Sequence, residues 1–477
     1  MDTINDRNVL HVDFGGDERP KYVVLESAVR AAISRGDLPC GTRLPPVREL
    51  AWRIGVTPGT VARAYSRLTD AGLLQAAVGR GTFVAEPDAP APLYREFEAL
   101  AVDSHPHGTG GDVHAVSMLS PTLPSVGQAR LIRRLMGEIA DDPPSGLMHY
   151  PVHENLRSAR QAARDFLDHP LLGPLEVDDV TLTHGGQQAI SLVLQAVLTG
   201  RRPIVLVEEL SYPGFRRMAE MLRAEVVAVP IDAQGIIPEA LAELARPADA
   251  QILCLSPDVQ NPTCTTMPEA RRRAIAAVAR DCDLQILEDD CYMMGPPTLP
   301  TLRLIAPERT WHIASIAKTI TPSLRLGFAI APPGRRLALR RAAEYNSFGV
   351  GTPLADLTAA LLPHPDLPGL MTQAREVVGT YVRAAVRILE GHDLSWREDV
   401  SFLWLTLPDG WRASAFVRAA EEVGVKLRAA EEYAAREANA PHAVRIAVNA
   451  GVNLSSFEAA IGRLRTLLDG PTERIGV

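Results

Sequence analysis

Six short strings in this chain end in residue types suited to carbonyl and phosphate chemistry. Ser315-Ile-Ala-Lys318 supplies a lysine, and Pro322-Ser-Leu-Arg-Leu-Gly327 adds Arg325 just behind it. Glu288-Asp-Asp-Cys-Tyr292 sets Asp289 three residues before Tyr292, and Ser256-Pro-Asp-Val-Gln-Asn-Pro-Thr263 contains Asn261. Glu208-Glu-Leu-Ser-Tyr-Pro-Gly214 carries Tyr212, while Thr183-His-Gly-Gly-Gln-Gln188 carries a glycine pair. A lysine amine near other cations and partly desolvated loses its proton readily and condenses with an aldehyde. A carboxylate against a pyridine nitrogen keeps that ring protonated as an electron sink. Arginine, serine and the N–H groups of a helix start receive phosphate.

Taken singly, each residue has a plainer reading. A lone lysine is usually a surface charge, Asp289 could cap a helix, and Asn261 before Pro262 suits a turn. The glycine pair is ordinary before a helix. The set becomes informative through its placement.

Five of the strings follow a short apolar run, and Pro322–Gly327 comes just after the one that ends in Lys318. Val180–Thr183, Ile204–Val207, Val226–Val229, Ile252–Leu255, Leu284–Leu287, Trp311–Ala314 and Leu326–Ile330 read as buried strands. Amphipathic segments such as Gln187–Leu198 and Pro268–Arg280 lie between them. This alternation predicts a largely parallel sheet with helices on both faces, whose functional groups gather at the strands' carboxyl ends.

The N-terminal 85 residues have a different pattern. Tyr22, Leu25, Val29, Ala32 and Ile33 make one helical stripe, Val47, Leu50, Ala51 and Ile54 a second. Gly55 ends the second, and Thr57 caps a third helix with Pro58 at its first position, burying Val61, Ala64, Tyr65 and Leu68. Two amphipathic helices joined by a four-residue turn make a helix-turn-helix. Gly79-Arg-Gly81 then turns a hairpin between Leu74–Val78 and Thr82–Val84, a wing. Residues 86–115 are rich in proline and glycine and read as a linker, with a short helix at Tyr94–Val102.

Charge divides along the same boundary. Pro20 to Ala85 holds nine Lys/Arg against four Asp/Glu, a net +5 within a chain of −8, so the rest carries −13. A basic module on an acidic body suits one domain that meets phosphate and one that does not. The five cysteines (Cys40, Cys254, Cys264, Cys282, Cys291) lack metal-ligand spacing, which points to reduced thiols in a cytoplasmic protein and to no metal. The start has no signal-peptide pattern, and no run approaches the ~18 apolar residues of a membrane span.

Gly41-Thr-Arg-Leu-Pro-Pro-Val-Arg-Glu-Leu-Ala51, Gly55-Val-Thr, Thr60-Val-Ala-Arg-Ala-Tyr65, Gly72-Leu and Gly79-Arg-Gly-Thr-Phe-Val84 resemble the GntR winged helix-turn-helix family. The later strings resemble fold type I pyridoxal-phosphate aminotransferases, so residues 20–465 as a whole resemble the MocR subfamily of regulators. The resemblance implies a multidomain chain. A winged helix-turn-helix (α+β, 18–85) would precede an α/β fold type I domain (116–477). Its large subdomain would be about 170–345, and a smaller α+β C-terminal subdomain would take 346–477 plus 116–165.

By position, the resemblance implies that Lys318 holds pyridoxal 5'-phosphate as an aldimine and that Asp289 pairs with the ring nitrogen. Asn261 and Tyr292 would bond the phenolic oxygen, and Tyr212 would stack on the ring. Gly185, Gly186, Gln187, Ser315 and Arg325 would hold the phosphate, with Tyr150 reaching it from a partner subunit. Arg445, in Ala443-Val-Arg-Ile-Ala447, would clamp a ligand carboxylate. Arg48, Thr57, Gly59, Thr60, Gly79 and Arg80 would face double-stranded DNA, with Arg63 a further outward-facing group. Cys264 stands where the family usually has glycine, and Asn155 replaces a common glycine near Tyr150.

The implied protein is a regulator sensing the cofactor, an amine or an amino acid. It would be a homodimer, domain-swapped so that one chain's DNA-binding domain packs on its partner's large domain. A working aminotransferase with an appended DNA-binding domain is the alternative, because the catalytic set is intact and the Asp289–Tyr292 spacing is that of aminotransferases.

Overall fold

The structure is a computed structural model that describes residues 20–39, 41–70, 73–77, 81–85, 115–248, 250–292, 294–435 and 440–470. It divides into two units, residues 1–99 and 100–477.

In the first unit, helices α1 (Lys21–Ser34), α2 (Val47–Arg53) and α3 (Pro58–Asp70) enclose one core. Leu25, Val29, Leu50, Ala51, Val61, Ala64, Tyr65 and Leu68 are buried in it, the residues that the helical stripes select. Gly55 takes φ +64°, the left-handed turn that lets α2 reverse into α3. The Thr57 hydroxyl oxygen accepts the Thr60 N–H at 3.3 Å, the expected cap. The hairpin strands run Leu74–Ala77 and Gly81–Val84. A third, two-residue strand (Arg43–Leu44) pairs antiparallel with the second hairpin strand. Sequence alternation cannot reveal a strand that short. The turn residues Gly79 and Arg80, and the linker with its expected helix, lie outside the described residues.

The second unit is built on a seven-stranded sheet. In chain order its strands are β1 (Val180–Thr183), β2 (Ile204–Glu208), β3 (Glu225–Val229), β4 (Ile252–Leu255), β5 (Gln285–Asp289), β6 (Thr310–Ser315) and β7 (Gly327–Ile330). The spatial order is β1-β7-β6-β5-β4-β2-β3. Only β7 runs antiparallel to its neighbours, so the carboxyl ends of six strands gather at one edge. All seven expected runs are strands. Burial on both faces explains why they read as unbroken apolar stretches.

The remaining chain forms a four-stranded antiparallel sheet of Leu394–Ser395, Phe402–Thr406, Ala443–Ala447 and Arg428–Ala429. Helices Leu367–Ile388 and Leu454–Asp469 share its core through Val378, Val382, Phe457 and Leu464. The smaller α+β subdomain therefore exists, but packing redraws its boundary. Helices Gln128–Asp141, Arg157–Leu167 and Thr352–Leu361 bury Leu131, Leu135, Ala163, Ala355 and Leu361 with β1 and β7, on the large sheet's side. Of the segment 116–165, Val116 and Met118 belong to the smaller core. Position in the sequence suggested otherwise because nothing local states which apolar face a helix will meet.

Candidate functional site

The carboxyl ends of the sheet bring the sequence candidates together. Lys318 closes a single 3₁₀ turn, Ile316–Lys318, directly after β6. Its Nζ lies 5.3 Å from the centre of the Tyr292 ring. Tyr292 in turn packs edge-on against Phe402, 5.1 Å between ring centres. Arg445 Nη1 donates to Asn261 Oδ1 at 2.9 Å and reaches the Tyr292 hydroxyl at 3.5 Å. Its Nη2 donates to the Leu119 carbonyl at 2.9 Å. Burial alone would push the Tyr292 phenol up, but the positive charges of Lys318 and Arg445 hold it below its ordinary value.

Two consecutive aspartates are separated by the pleat of β5. The charge of Asp289 acts on Tyr212, Tyr292 and Cys291, so it belongs to this site. Its Oδ1 accepts the Cys291 N–H at 2.9 Å. Burial raises the Asp289 carboxyl, partly offset by that bond and by His312. Asp290 faces a different network. His312 Nδ1 lies 3.1 Å from Glu288 and its Nε2 3.9 Å from Asp290.

A glycine cradle opens helix Gly186–Val197. Gly185 has φ +81°, and a Cβ there would meet Arg325 Nη2 at 2.8 Å. A Cβ on Gly327 would sit 2.8 Å from the Gly185 carbonyl carbon, and one on Gly186 2.6 Å from Cys291 Sγ. Backbone and guanidinium thus crowd together only because three side chains are missing. Gln187 Oε1 accepts the Tyr212 hydroxyl proton at 3.0 Å. Burial is the main reason that the Tyr212 phenol is pushed up to about 12.

Not every candidate is free for the role it suggests. Ser315 Oγ donates to the Leu326 carbonyl at 3.0 Å and accepts the Ala317 N–H, so its proton serves the turn that holds Lys318. Tyr150 is 76% exposed and packs at a tilt against Phe348, 5.7 Å between ring centres. In the first unit Arg48, Thr57 and Gly59 are exposed and Thr60 half-buried. Arg63 is exposed, yet its guanidinium lies 4.3 Å over the Tyr22 ring.

Three participants lie outside the sequence candidates. Tyr433 and Phe402 sandwich Arg445, with its guanidinium carbon 5.2 and 5.1 Å from their ring centres. They come from distant segments and meet only through the smaller sheet. The third is Glu208, fully buried at the end of β2. Its Oε2 accepts the Ser256 N–H at 3.2 Å, and its Oε1 has no partner among the described residues. Burial pushes this carboxyl up to about 8, opposed by the Ser256 and Gln260 bonds and reinforced by Asp289.

The sign of that shift sets a pH dependence. The folded protein holds the Glu208 proton between the unfolded value near 4.5 and about 8, so folding binds a proton there. The Glu208 contribution is present below pH 4.5 and is lost as pH rises through 8. We expect Glu208→Gln to flatten the fall in thermal midpoint between pH 5 and 8. Parallel melting curves of parent and variant across that range check it, and identical slopes would count against the assignment.

These residues fit pyridoxal phosphate. Asn261 Nδ2 and Arg445 Nε are buried donors without partners among the described residues, an arrangement that costs about 1–3 kcal/mol each unless a ligand supplies acceptors. Arg445 is 3% exposed and has no carboxylate partner among the described residues. Lys318, the Asp289 carboxylate and the glycine cradle would supply an amine, a ring-nitrogen partner and a phosphate seat.

Comparison with known proteins agrees with both halves. Residues 21–84 match the family of bacterial regulatory proteins, gntR family, and residues 127–464 match aminotransferase class I and II. The HTH-type transcriptional regulator YdeF of Bacillus subtilis is 28% identical over 95% of this chain and 96% of its own length. The vitamin B6 salvage pathway transcriptional repressor PtsJ of Salmonella typhimurium is 30% identical over 82% of this chain and 86% of its own. Among solved structures, the α-aminoadipate aminotransferase LysN of Thermus thermophilus superposes with a TM-score of 0.66 at 22% identity. That match covers 75% of this chain and 93% of that one, and LysN was solved with N-(5'-phosphopyridoxyl)-L-leucine.

Proposed function

This chain belongs to the HTH-type regulators that join a GntR DNA-binding module to a class I and II aminotransferase unit, and from that premise we propose a MocR-type transcriptional regulator that senses pyridoxal phosphate together with an amino compound. The observation that carries the sensing role is the set of buried donors on Asn261 and Arg445 beside Lys318 and Tyr292.

Each residue then has a task. Lys318 would hold the cofactor, and Asp289 would face its ring nitrogen and keep it protonated, so that the cofactor supplies an electron sink when bound. Asn261 and Tyr292 would bond the phenolic oxygen, Tyr212 would cover the ring, and Gly185, Gly186, Gln187 and Arg325 would seat the phosphate. Ser315 keeps the Lys318 turn in place through its cap. Arg445 holds the ligand's carboxylate, stiffened by Phe402 and Tyr433. That ligand is an amino acid acting beside the cofactor, and the name of the Salmonella relative supports the sensing of a vitamin B6 form. In the first unit, Arg48, Thr57, Gly59, Thr60, Gly79 and Arg80 meet DNA, mostly at phosphates. Arg63 extends that surface once it leaves the Tyr22 ring. No helix among the described residues is long and apolar enough to cross a membrane, and a DNA-reading role supports a cytoplasmic location.

The working assembly in this reading is a homodimer. Leu147, Met148, Tyr150, Val152, Tyr345 and Phe348 are exposed, and the contact of Tyr150 with Phe348 brings these two apolar segments of the second unit together. We expect Met148→Asp with Tyr345→Asp to shift the protein from dimer to monomer in sedimentation velocity at micromolar concentration. A dimer unaffected by both charges would place the interface elsewhere.

The test of function is a titration of duplex selected from genomic fragments by the purified protein. Pyridoxal phosphate with an amino acid should change the affinity at least tenfold, and Lys318→Ala should remove the response while leaving the unliganded affinity. An affinity indifferent to both compounds would refute the sensor. The intact set and the Asp289–Tyr292 spacing favour one second reading, a working aminotransferase. Brisk amino-group exchange with 2-oxo acids, without DNA binding, would establish it instead.

A further inference from the structure

The large sheet has a second end, opposite the cofactor site, where β1 begins and the antiparallel β7 finishes; Val180 pairs with Ile330 there. A cleft of about 460 Å³ opens beside it, walled by Arg157, Arg160, Arg336, Arg340, His153 and Asp178. None of these residues figures in the cofactor site.

Arg160 lies at the bottom, 3% exposed. Its Nη1 donates to Asp178 at 2.7 Å and its Nη2 to the His153 carbonyl at 3.2 Å, while its buried Nε–H finds no partner among the described residues. The outer arginines are held by one edge each. Arg336 pairs through Nε with Asp179, and Arg340 through Nε with Glu344 at 2.7 Å. Both keep their terminal Nη groups out of those pairs. Arg157 makes no side-chain hydrogen bond or ion pair among the described residues. Carboxylates that anchor Nε orient the forks without occupying them, as outer partners do for a ligand site.

The wall carries four arginines against Asp178 and Glu154, with Asp179 and Glu344 engaged at the Nε edges of Arg336 and Arg340. His153 is held below its ordinary value by burial first and then by Arg160 and Arg340, against the pull of Asp178 at 3.5 Å.

We infer that this cleft is a second ligand site for a small phosphorylated anion, bound by the Nη forks of Arg157, Arg336 and Arg340 over the buried Arg160. A bidentate fork matches phosphate geometry, and several forks around one concavity select a compact multiply charged group. A concave cleft with a buried arginine favours a small molecule over the extended backbone of a duplex.

The test uses the cofactor-loaded full chain, so that the glycine cradle is already filled. Inorganic phosphate and pyrophosphate are titrated by calorimetry at low ionic strength, against the parent and against Arg157→Gln with Arg340→Gln. Both replaced side chains are solvent-facing, and an unchanged cofactor absorbance shows that the variant folds. Pyrophosphate should bind the parent below millimolar concentration, more tightly than phosphate, and at least tenfold more weakly to the variant. Equal binding by both proteins, or none at 10 mM, overturns the site. So does a variant that loses affinity for non-specific duplex while keeping that for pyrophosphate, which would assign the cleft to DNA.

Discussion

Lys318→Ala is expected to abolish covalent retention of pyridoxal phosphate and the visible absorbance that accompanies it. After borohydride reduction and proteolysis, the parent should carry the pyridoxyl mass on the peptide containing Lys318, and the variant should carry none. The expected loss is all or none because the chain has only two lysines beyond Lys318. Lys21 lies in the first unit, and Lys426 sits half exposed, 4.0 Å from Glu421. Neither stands among the residues that would seat the ring and the phosphate. Non-covalent affinity should fall much less, since Asp289, Tyr212 and the cradle remain. The variant should therefore stay filled during dialysis against saturating cofactor and empty completely without it. A pyridoxyl mass on another amine would remove the basis of the sensor reading.

How legible was this site before the fold was known? The strand ends were, because parallel strands buried on both faces leave apolar runs, and the strings that follow those runs are where chemistry collects. Lys318, Asp289, Tyr292 and Asn261 fall within reach of one another for that reason, and Arg445 joins them from the smaller sheet. What sequence could not show were the groups that act through packing. Tyr433 and Phe402 hold Arg445 by stacking, and no spacing links them to it. Glu208 looked like an ordinary strand-end acid, and only its burial makes it hold a proton. Tyr150 sits on an exposed face, which fits a role across a subunit boundary but leaves nothing within one chain to define it. The helices at 128–141 and 157–167 show the same limit at larger scale. Their stripes say that they are amphipathic and leave open which core receives them.

The second large effect concerns what kind of amino compound is sensed. Arg445 is buried between two aromatic rings with two of its donors engaged by Asn261 and Leu119. A carboxylate entering this setting would gain a charge-assisted, fork-shaped contact, in a place where an unpaired guanidinium is costly. Arg445→Lys keeps the charge but removes the fork, and a lysine ammonium cannot both stack on Phe402 and Tyr433 and meet two oxygens. We expect this variant to weaken the response to amino acids by about 10- to 1000-fold, on the scale of ~1.4 kcal/mol per tenfold for a lost charged hydrogen bond or two. Its response to a simple amine such as ethylamine should change by less than about threefold, because an amine without a carboxylate never used the fork. Spectral titration of bound cofactor with matched amine and amino-acid pairs separates the two. If both classes weaken equally, Arg445 is a structural member of the aromatic sandwich rather than the carboxylate's partner, and an amine without an acid group becomes the better description of the ligand.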